Sequence, residues 1–173
     1  MLKTLRKIAS VGIVSEPPPR PDELLRVRCA LDERVRATLG RALCIRHVDA
    51  GSCNGCELEI VALNNPLYNL EGLGIRFVAS PRHADLLLVT GPVAASMEAA
   101  LRRVYDATPD PKLVVAIGDC GCTGGIFGEC GASRGRVSNV IPVDVAVPGC
   151  PPSPTRILAG ILTAVSGAMP TEP

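Results

Sequence analysis

The sequence predicts an α/β domain of the flavodoxin-like, three-layer kind, with a mostly parallel sheet and a helical N-terminal extension. Three observations predict it. Short apolar runs alternate with helical patterns along the chain, the order that builds a parallel sheet covered on both faces. Two of those runs, Ala84–Thr90 and Lys112–Ile117, are almost wholly apolar, as strands buried on both faces are. Turn-forming residues follow the runs, at Gly51, Gly91-Pro92, Gly118 and Pro148-Gly149.

At 173 residues the chain is long enough for one domain with a real core and short arms. The division expected is an N-terminal arm and helix over 1–40, the α/β domain over 41–168 and a tail over 169–173. A formal net charge of +1 offers no field for a polyanion, so nucleic acid is not expected as a partner. The mean hydropathy is positive, yet tryptophan is absent and Phe and Tyr number two each. That balance predicts a surface hidden against a partner. No run approaches the roughly 18 apolar residues of a membrane span.

Residues 1–20 read as an arm. Leu2, Leu5 and Ile8 keep helical spacing beside Lys3, Arg6 and Lys7, and Pro17, Pro18 and Pro19 stop it. A frayed terminus and an amphipathic foot on a membrane or partner are the two readings. From Pro21 to Gly40 the pattern is helical, with Pro21 at a first-turn position, Asp22 and Glu23 acidic near the start and Gly40 as a stop. Leu24, Val27, Leu31, Val35 and Leu39 mark one face, and Cys29 reads as a small apolar filler. The strands expected next are 44–48, 75–78, 84–90, 112–117 and 143–147. Helices are expected through 57–63, over 94–107 and over 153–166.

The eight cysteines carry the chemistry. No cleavable secretory leader is evident, because Ser15-Glu-Pro-Pro-Pro19 offers no small-residue cleavage pattern. A reducing cytoplasm then favours metal or redox chemistry over disulfides. Cys53 and Cys56 lie three apart in Asp49-Ala-Gly-Ser-Cys-Asn-Gly-Cys-Glu57, directly after the first strand. Cys120 follows the fourth strand in Gly118-Asp-Cys-Gly121, and Cys150 follows the fifth in Val147-Pro-Gly-Cys-Pro-Pro152. Open parallel sheets bind ligands beyond the carboxyl ends of their strands, so all four thiols are expected on one edge.

Four converging thiolates suit a 4Fe–4S cluster or zinc. Two of the four arrive singly from distant segments, whereas structural zinc usually takes two close pairs. The glycines at 51, 55, 118, 121 and 149 would let backbone N–H groups approach a reduced cluster. The spacing therefore favours iron–sulfur. A thioredoxin-like Cys53/Cys56 pair is the third reading, and it leaves Cys120 and Cys150 without a role. Cys122 competes with Cys120 for the third position, and Cys120 is preferred as nearer the strand end. Cys122 and Cys130 could also pair, ligate under stress or be inert. Cys44 reads as core, His47 and His83 as satisfied imidazoles, and Glu59 as solvated or paired. Glu57, beside a candidate ligand, is a candidate for proton movement or for bonding a partner. Gly118–Gly125 is glycine-rich but matches neither a dinucleotide fingerprint nor a P-loop.

As a set, Cys53-Asn-Gly-Cys-Glu57, Ser80–Asp85 running into Thr90-Gly-Pro-Val93, Cys120 with Gly124-Gly-Ile-Phe127, and Val147–Pro154 resemble a known family. It is that of the small subunits of energy-converting, membrane-bound [NiFe]-hydrogenases of the formate hydrogenlyase and Ech type. The cluster subunit of complex I is its more distant relative. The resemblance implies one 4Fe–4S cluster on Cys53, Cys56, Cys120 and Cys150, relaying electrons between ferredoxin-like iron–sulfur subunits and a hydrogenase-type large subunit. It implies membrane subunits in the same complex, a peripheral place on the cytoplasmic side of the cell membrane, and no catalysis by this chain alone. Complex I proteins generally carry adjacent cysteines where this chain has Cys53-Asn-Gly-Cys56, which favours the hydrogenase side. Periplasmic hydrogenase small subunits carry a twin-arginine leader and an extra cluster domain, neither of which is expected here. Cys122 and Cys130 depart from the family pattern. The other readings are a complex I-like subunit passing electrons to quinone and a zinc-stapled interaction module.

Overall fold

A computed structural model describes Leu2, Arg6, Ala9, Ser10 and residues 21–167. Most of the expected N-terminal arm and the whole of the tail 169–173 lie outside the described residues. The architecture is a five-stranded parallel sheet with helices on both faces. In chain order the elements are α1 (Pro21–Leu39), β1 (Leu43–Asp49), α2 (Gly55–Ala62), β2 (Ile75–Phe77), β3 (Leu86–Thr90), α3 (Glu98–Ala107), β4 (Leu113–Ile117), α4 (Gly118–Thr123), the short β5 (Glu129–Cys130) and β6 (Ser133–Arg134), β7 (Val145–Val147) and α5 (Pro154–Gly167). The strand order is β2-β1-β3-β4-β7, all pairs parallel, so the order reverses between β1 and β3. This is the expected flavodoxin-like arrangement.

The period-2 alternation of the strands divides the core into two. In β3, Leu86 and Leu88 join a core with α1, α2 and α5, while Leu87 and Val89 join a second core with Leu101 of α3 and with Val137 and Val140. β4 splits in the same way, Val115 and Ile117 to the first core and Val114 and Ala116 to the second. All five residues of β3 are buried, which is why its sequence shows no polar alternation.

Helix α1 lies against α5 and buries Leu24, Leu31 and Val35 in the first core. Cys29, expected as an apolar filler, is exposed. It stands two residues before Leu31, and a helix turns about 100° per residue, so it points well away from the buried stripe. Two local features differ from expectation. The glycine-rich stretch after β4 coils into the short helix α4 instead of staying a loop, and β5 and β6 pair as a small antiparallel hairpin. Too short for a periodic signal, neither could be read from hydrophobic pattern.

Candidate metal centre

The strand ends form a straight row. Asp49 pairs with Thr90, Thr90 with Ile117 and Ile117 with Val147, and these are the last residues of β1, β3, β4 and β7. Cys53 lies four residues past this row, and Cys120 and Cys150 each lie three past it. Three cysteine-bearing turns therefore leave the sheet from one edge, those after β4 and β7 adjacent and that after β1 one strand away.

Each turn is tied down locally. After β1, one carboxylate oxygen of Asp49 accepts from the N–H groups of Gly51 and Ser52, both at 2.8 Å, and Ser52 Oγ accepts from Asn54 N–H at 3.1 Å. Burial pushes the Asp49 carboxyl up, and the Ser52 and Gly51 N–H groups more than offset that, so it lies below the ordinary 3.8. Ala94 N–H donates to Ala50 O at 2.8 Å, fixing the same turn to the chain after β3. Asn54, at φ 70°, opens α2, whose first turn carries Cys56 half-buried against the first core.

Cys120 sits on α4, and the loop bearing Cys150 is clamped to that helix. Asp119 N–H donates to Gly149 O at 2.8 Å, and Gly149 N–H donates to Asp119 Oδ1 at 2.8 Å. Gly118 packs between Cys56 and the third turn: a Cβ there would stand 2.6 Å from Cys56 Sγ and 3.4 Å from Gly149 O. Gly55 lies between Cys53 Sγ, at 3.6 Å, and Pro151 Cδ, at 4.0 Å, measured the same way. A Cβ on Gly125 would stand 2.7 Å from Cys120 Sγ. The glycines thus leave space beside three of the sulfurs, and at Cys56 and Cys120 a side chain in that space would collide with the sulfur.

The four thiols feel one another. Burial first, then Glu57, then Cys53, Cys120 and Cys150 push the Cys56 thiol up to about 12. Burial, then Cys150 and Cys53, raise the Cys120 thiol. Mutual repulsion of this kind is relieved by a cationic group among the sulfurs. Cys53 and Cys150 are exposed, so this side of the set faces solvent. Among the described residues, no three His, Cys, Asp or Glu side chains stand close enough to hold a single metal ion.

The remaining cysteines lie elsewhere. Cys122 is half-buried against the second core, its Sγ–H 3.6 Å from Ala116 O, and burial pushes it up to about 11. Cys130 is exposed on the β5–β6 hairpin and Cys44 is buried in β1. His47 Nε2 lies 3.0 Å from Thr90 Oγ1 and 3.6 Å from Glu57 Oε1. Both oxygens of Glu57 are buried without a hydrogen-bond partner. His83 is exposed. Asp49 and Asp119 escaped the sequence reading; an Asp just before glycine-flanked turns was the available signal. Exposed apolar side chains crowd the same region: Leu58 and Val61 on α2, and Ile126, 94% exposed, with Phe127 after α4.

Topology and site together define a flavodoxin-like α/β protein with four thiols gathered at the carboxyl edge of its sheet. A family profile described as the NADH ubiquinone oxidoreductase 20 Kd subunit matches residues 53–164, and the chain belongs to that family. It is 46% identical over 141 residues to a probable membrane-bound hydrogenase subunit mbhJ of Pyrococcus furiosus, covering 78% of this chain and 84% of that one. It is 40% identical to formate hydrogenlyase subunit 7 of Escherichia coli, over 85% of this chain and 60% of that protein. A subunit of the NADH-quinone oxidoreductase of Desulfovibrio desulfuricans is 44% identical over 62% of this chain and 58% of its own length. Among solved structures, a chain of an archaeal membrane-bound sulfane sulfur reductase aligns with TM-score 0.64 and 31% identity, over 80% of this chain and 77% of that one. A chain of an NAD+-reducing [NiFe]-hydrogenase shares the fold, with TM-score 0.57 and 21% identity over 77% of this chain and 96% of that one. The resemblance drawn from the motifs and these relatives agree.

Proposed function

We propose that this chain is the electron-transfer subunit of a membrane-bound, [NiFe]-hydrogenase-type complex and holds one 4Fe–4S cluster on Cys53, Cys56, Cys120 and Cys150. The observation that carries the reading is the row Asp49, Thr90, Ile117 and Val147, which starts three cysteine-bearing turns at one level of the sheet. Four soft thiolates from three segments, with glycines beside the sulfurs, suit such a cluster. When bound, the cluster supplies one-electron transfer.

The chain's own residues would do the rest. Cys56 anchors the site in the first core, and the Asp119–Gly149 clamp sets the separation of the Cys120 and Cys150 turns. Exposed Cys53 and Cys150, with exposed Leu58 and Val61 on the helix that follows Cys53 and exposed Ile126 and Phe127 after the helix that carries Cys120, leave one side for a partner to cover. That partner is the hydrogenase-type large subunit, with a ferredoxin-like iron–sulfur subunit on the electron path and membrane subunits in the same assembly. No described helix is long and apolar enough to cross a membrane, which agrees with a peripheral place, assigned here to the cytoplasmic side. With four thiols committed to a cluster, the chain holds no nickel and does not turn over hydrogen alone.

A second reading has the same cluster passing electrons to quinone in a complex I-like assembly; membership of the NADH ubiquinone oxidoreductase 20 Kd family supports it. Anaerobic purification tests the common part. Broad visible absorbance bleached by dithionite, with about four irons per chain, is expected; a colourless protein with one zinc overturns both readings in favour of the zinc-stapled module. The co-purified large subunit separates the two: two Cys-x-x-Cys pairs for nickel are expected, and their loss selects quinone.

A further inference from the structure

The edge of the sheet opposite the cysteines carries a cleft that electron transfer does not use. It has a volume of about 730 Å³, within the range of small-molecule sites, roughly 300–1,000 Å³. It opens at the amino ends of β1, β3 and β4. From there to the cysteine edge is the length of β1, seven residues, or about 20 Å at the strand rise.

We propose that this cleft binds a small organic anion, a carboxylate or phosphate head on an apolar body, through Arg76 and Arg82. The wall is apolar, with Leu43, Leu113, Pro109, Pro111 and Val165 lining it. The charged groups divide into those already paired and those not. Asp85 accepts from both terminal nitrogens of Arg41, at 2.6 and 3.0 Å, and from Cys44 N–H at 2.9 Å. Its charge is paired with that of Arg41, and three of its four lone-pair sites are taken. Asp110, at the rim, is 3.4 Å from Lys112 Nζ. Arg76 donates through Nε to Cys44 Sγ at 3.3 Å, which fixes the guanidinium plane. Among the described residues, no hydrogen-bond acceptor meets its two terminal nitrogens or any side-chain nitrogen of Arg82.

Two guanidinium groups with free donors beside an apolar wall select the ligand chemistry. A planar fork of N–H groups matches carboxylate or phosphate oxygens, and the wall takes an alkyl or ring body. A cation or a neutral alcohol would leave the guanidinium groups unpaired. The concave shape favours a small molecule over a flat protein contact.

The test is calorimetric titration of the full chain, purified anaerobically, with octanoate and octyl phosphate, and with octanol and octylammonium as controls. Saturable binding of at least one anion is expected, with little from either control. Amide shifts at Ala84 and Leu113 should report it. Arg76→Gln and Arg82→Gln should each weaken binding roughly tenfold, as loss of a charge-assisted bond does. Arg103→Gln, on the outer face of α3, should not, and the iron content should be unchanged in all three. Preference between the two anions names the head group. No binding of either anion, equal binding of octanol or octylammonium, or full binding by the double Arg76/Arg82 variant would overturn the proposal. None of these outcomes bears on whether the cysteines hold a cluster.

Discussion

Asp119 and Gly149 exchange two hydrogen bonds, both 2.8 Å long, and so join the turn after β4 to the turn after β7. Each residue immediately precedes a candidate ligand, Cys120 or Cys150. The pair therefore sets how far apart two sulfurs stand. Asp119→Ala leaves the half-buried Gly149 N–H without its acceptor, a loss of about 1–3 kcal/mol. It should lower the melting midpoint by several degrees and reduce iron incorporation. Asp119→Asn keeps the acceptor oxygen and should retain most of both. Iron-to-protein ratios and thermal melts on the three proteins check this; equal loss in the two variants would mean that charge, not the hydrogen bond, matters.

Two glycines at positive φ make a matched comparison. Gly118, at φ +83°, would place a Cβ 2.6 Å from Cys56 Sγ, whereas Gly128, at φ +54°, has nothing within 4 Å of its Cβ position. Both Ala variants carry backbone strain of about 1 kcal/mol. Only Gly118→Ala should also displace a sulfur and abolish cluster incorporation. Visible absorbance after reconstitution with iron and sulfide distinguishes them.

The ligand set makes its own forecast. Cys53→Ala or Cys150→Ala should abolish cluster incorporation, while Cys29→Ser, Cys44→Ser and Cys122→Ser should keep it. Exposed Cys29, buried Cys44 and second-core Cys122 all lie away from the four-thiol edge. Retained iron after Cys150→Ala would refute the set.

His47 gives a pH dependence of stability. Burial lowers its pKa below the ordinary 6.5, and the nearby Glu57 opposes this without overcoming it. The unfolded chain thus binds a proton that the folded chain refuses. The contribution is complete above pH 6.5 and is lost as pH falls below it. Urea midpoints measured from pH 8 down to pH 5 should fall for the wild type and flatten for His47→Gln.

The apolar side chains around the cysteines should drive self-association of the isolated chain. Val61→Glu combined with Ile126→Ser should reduce it in sedimentation velocity without changing the melting midpoint much, because both side chains are exposed. A wild-type chain that stays monomeric at high concentration would speak against a hidden interface there.

Much of this arrangement was legible in the sequence. The apolar runs 84–90 and 112–117 became β3 and β4, trimmed by a residue or two, because burial on both faces leaves an unbroken apolar signature. The helix ending at Gly40 was equally plain, since Pro21 and Gly40 punctuate it. Cys29 was misread because an apolar stripe two residues wide of it looks, in one dimension, like its own neighbourhood. Helix α4 and the β5–β6 hairpin went unread because six residues, or two and two, carry no period.

By itself the sequence determined the alternating α/β order and the placing of Cys53, Cys56, Cys120 and Cys150 after strands. Those are local matters, encoded by residues within a turn or two of each other. Only the tertiary structure decided that Cys122 turns into the second core while Cys120 stays at the edge, a choice made by a helix turning about 200° over two residues. It alone joined Asp119 to Gly149, and Arg41 to Asp85 in the opposite cleft. Those partners lie 30 and 44 residues apart, and hydrogen bonds over such separations follow from the register of the parallel strands, which no local pattern records.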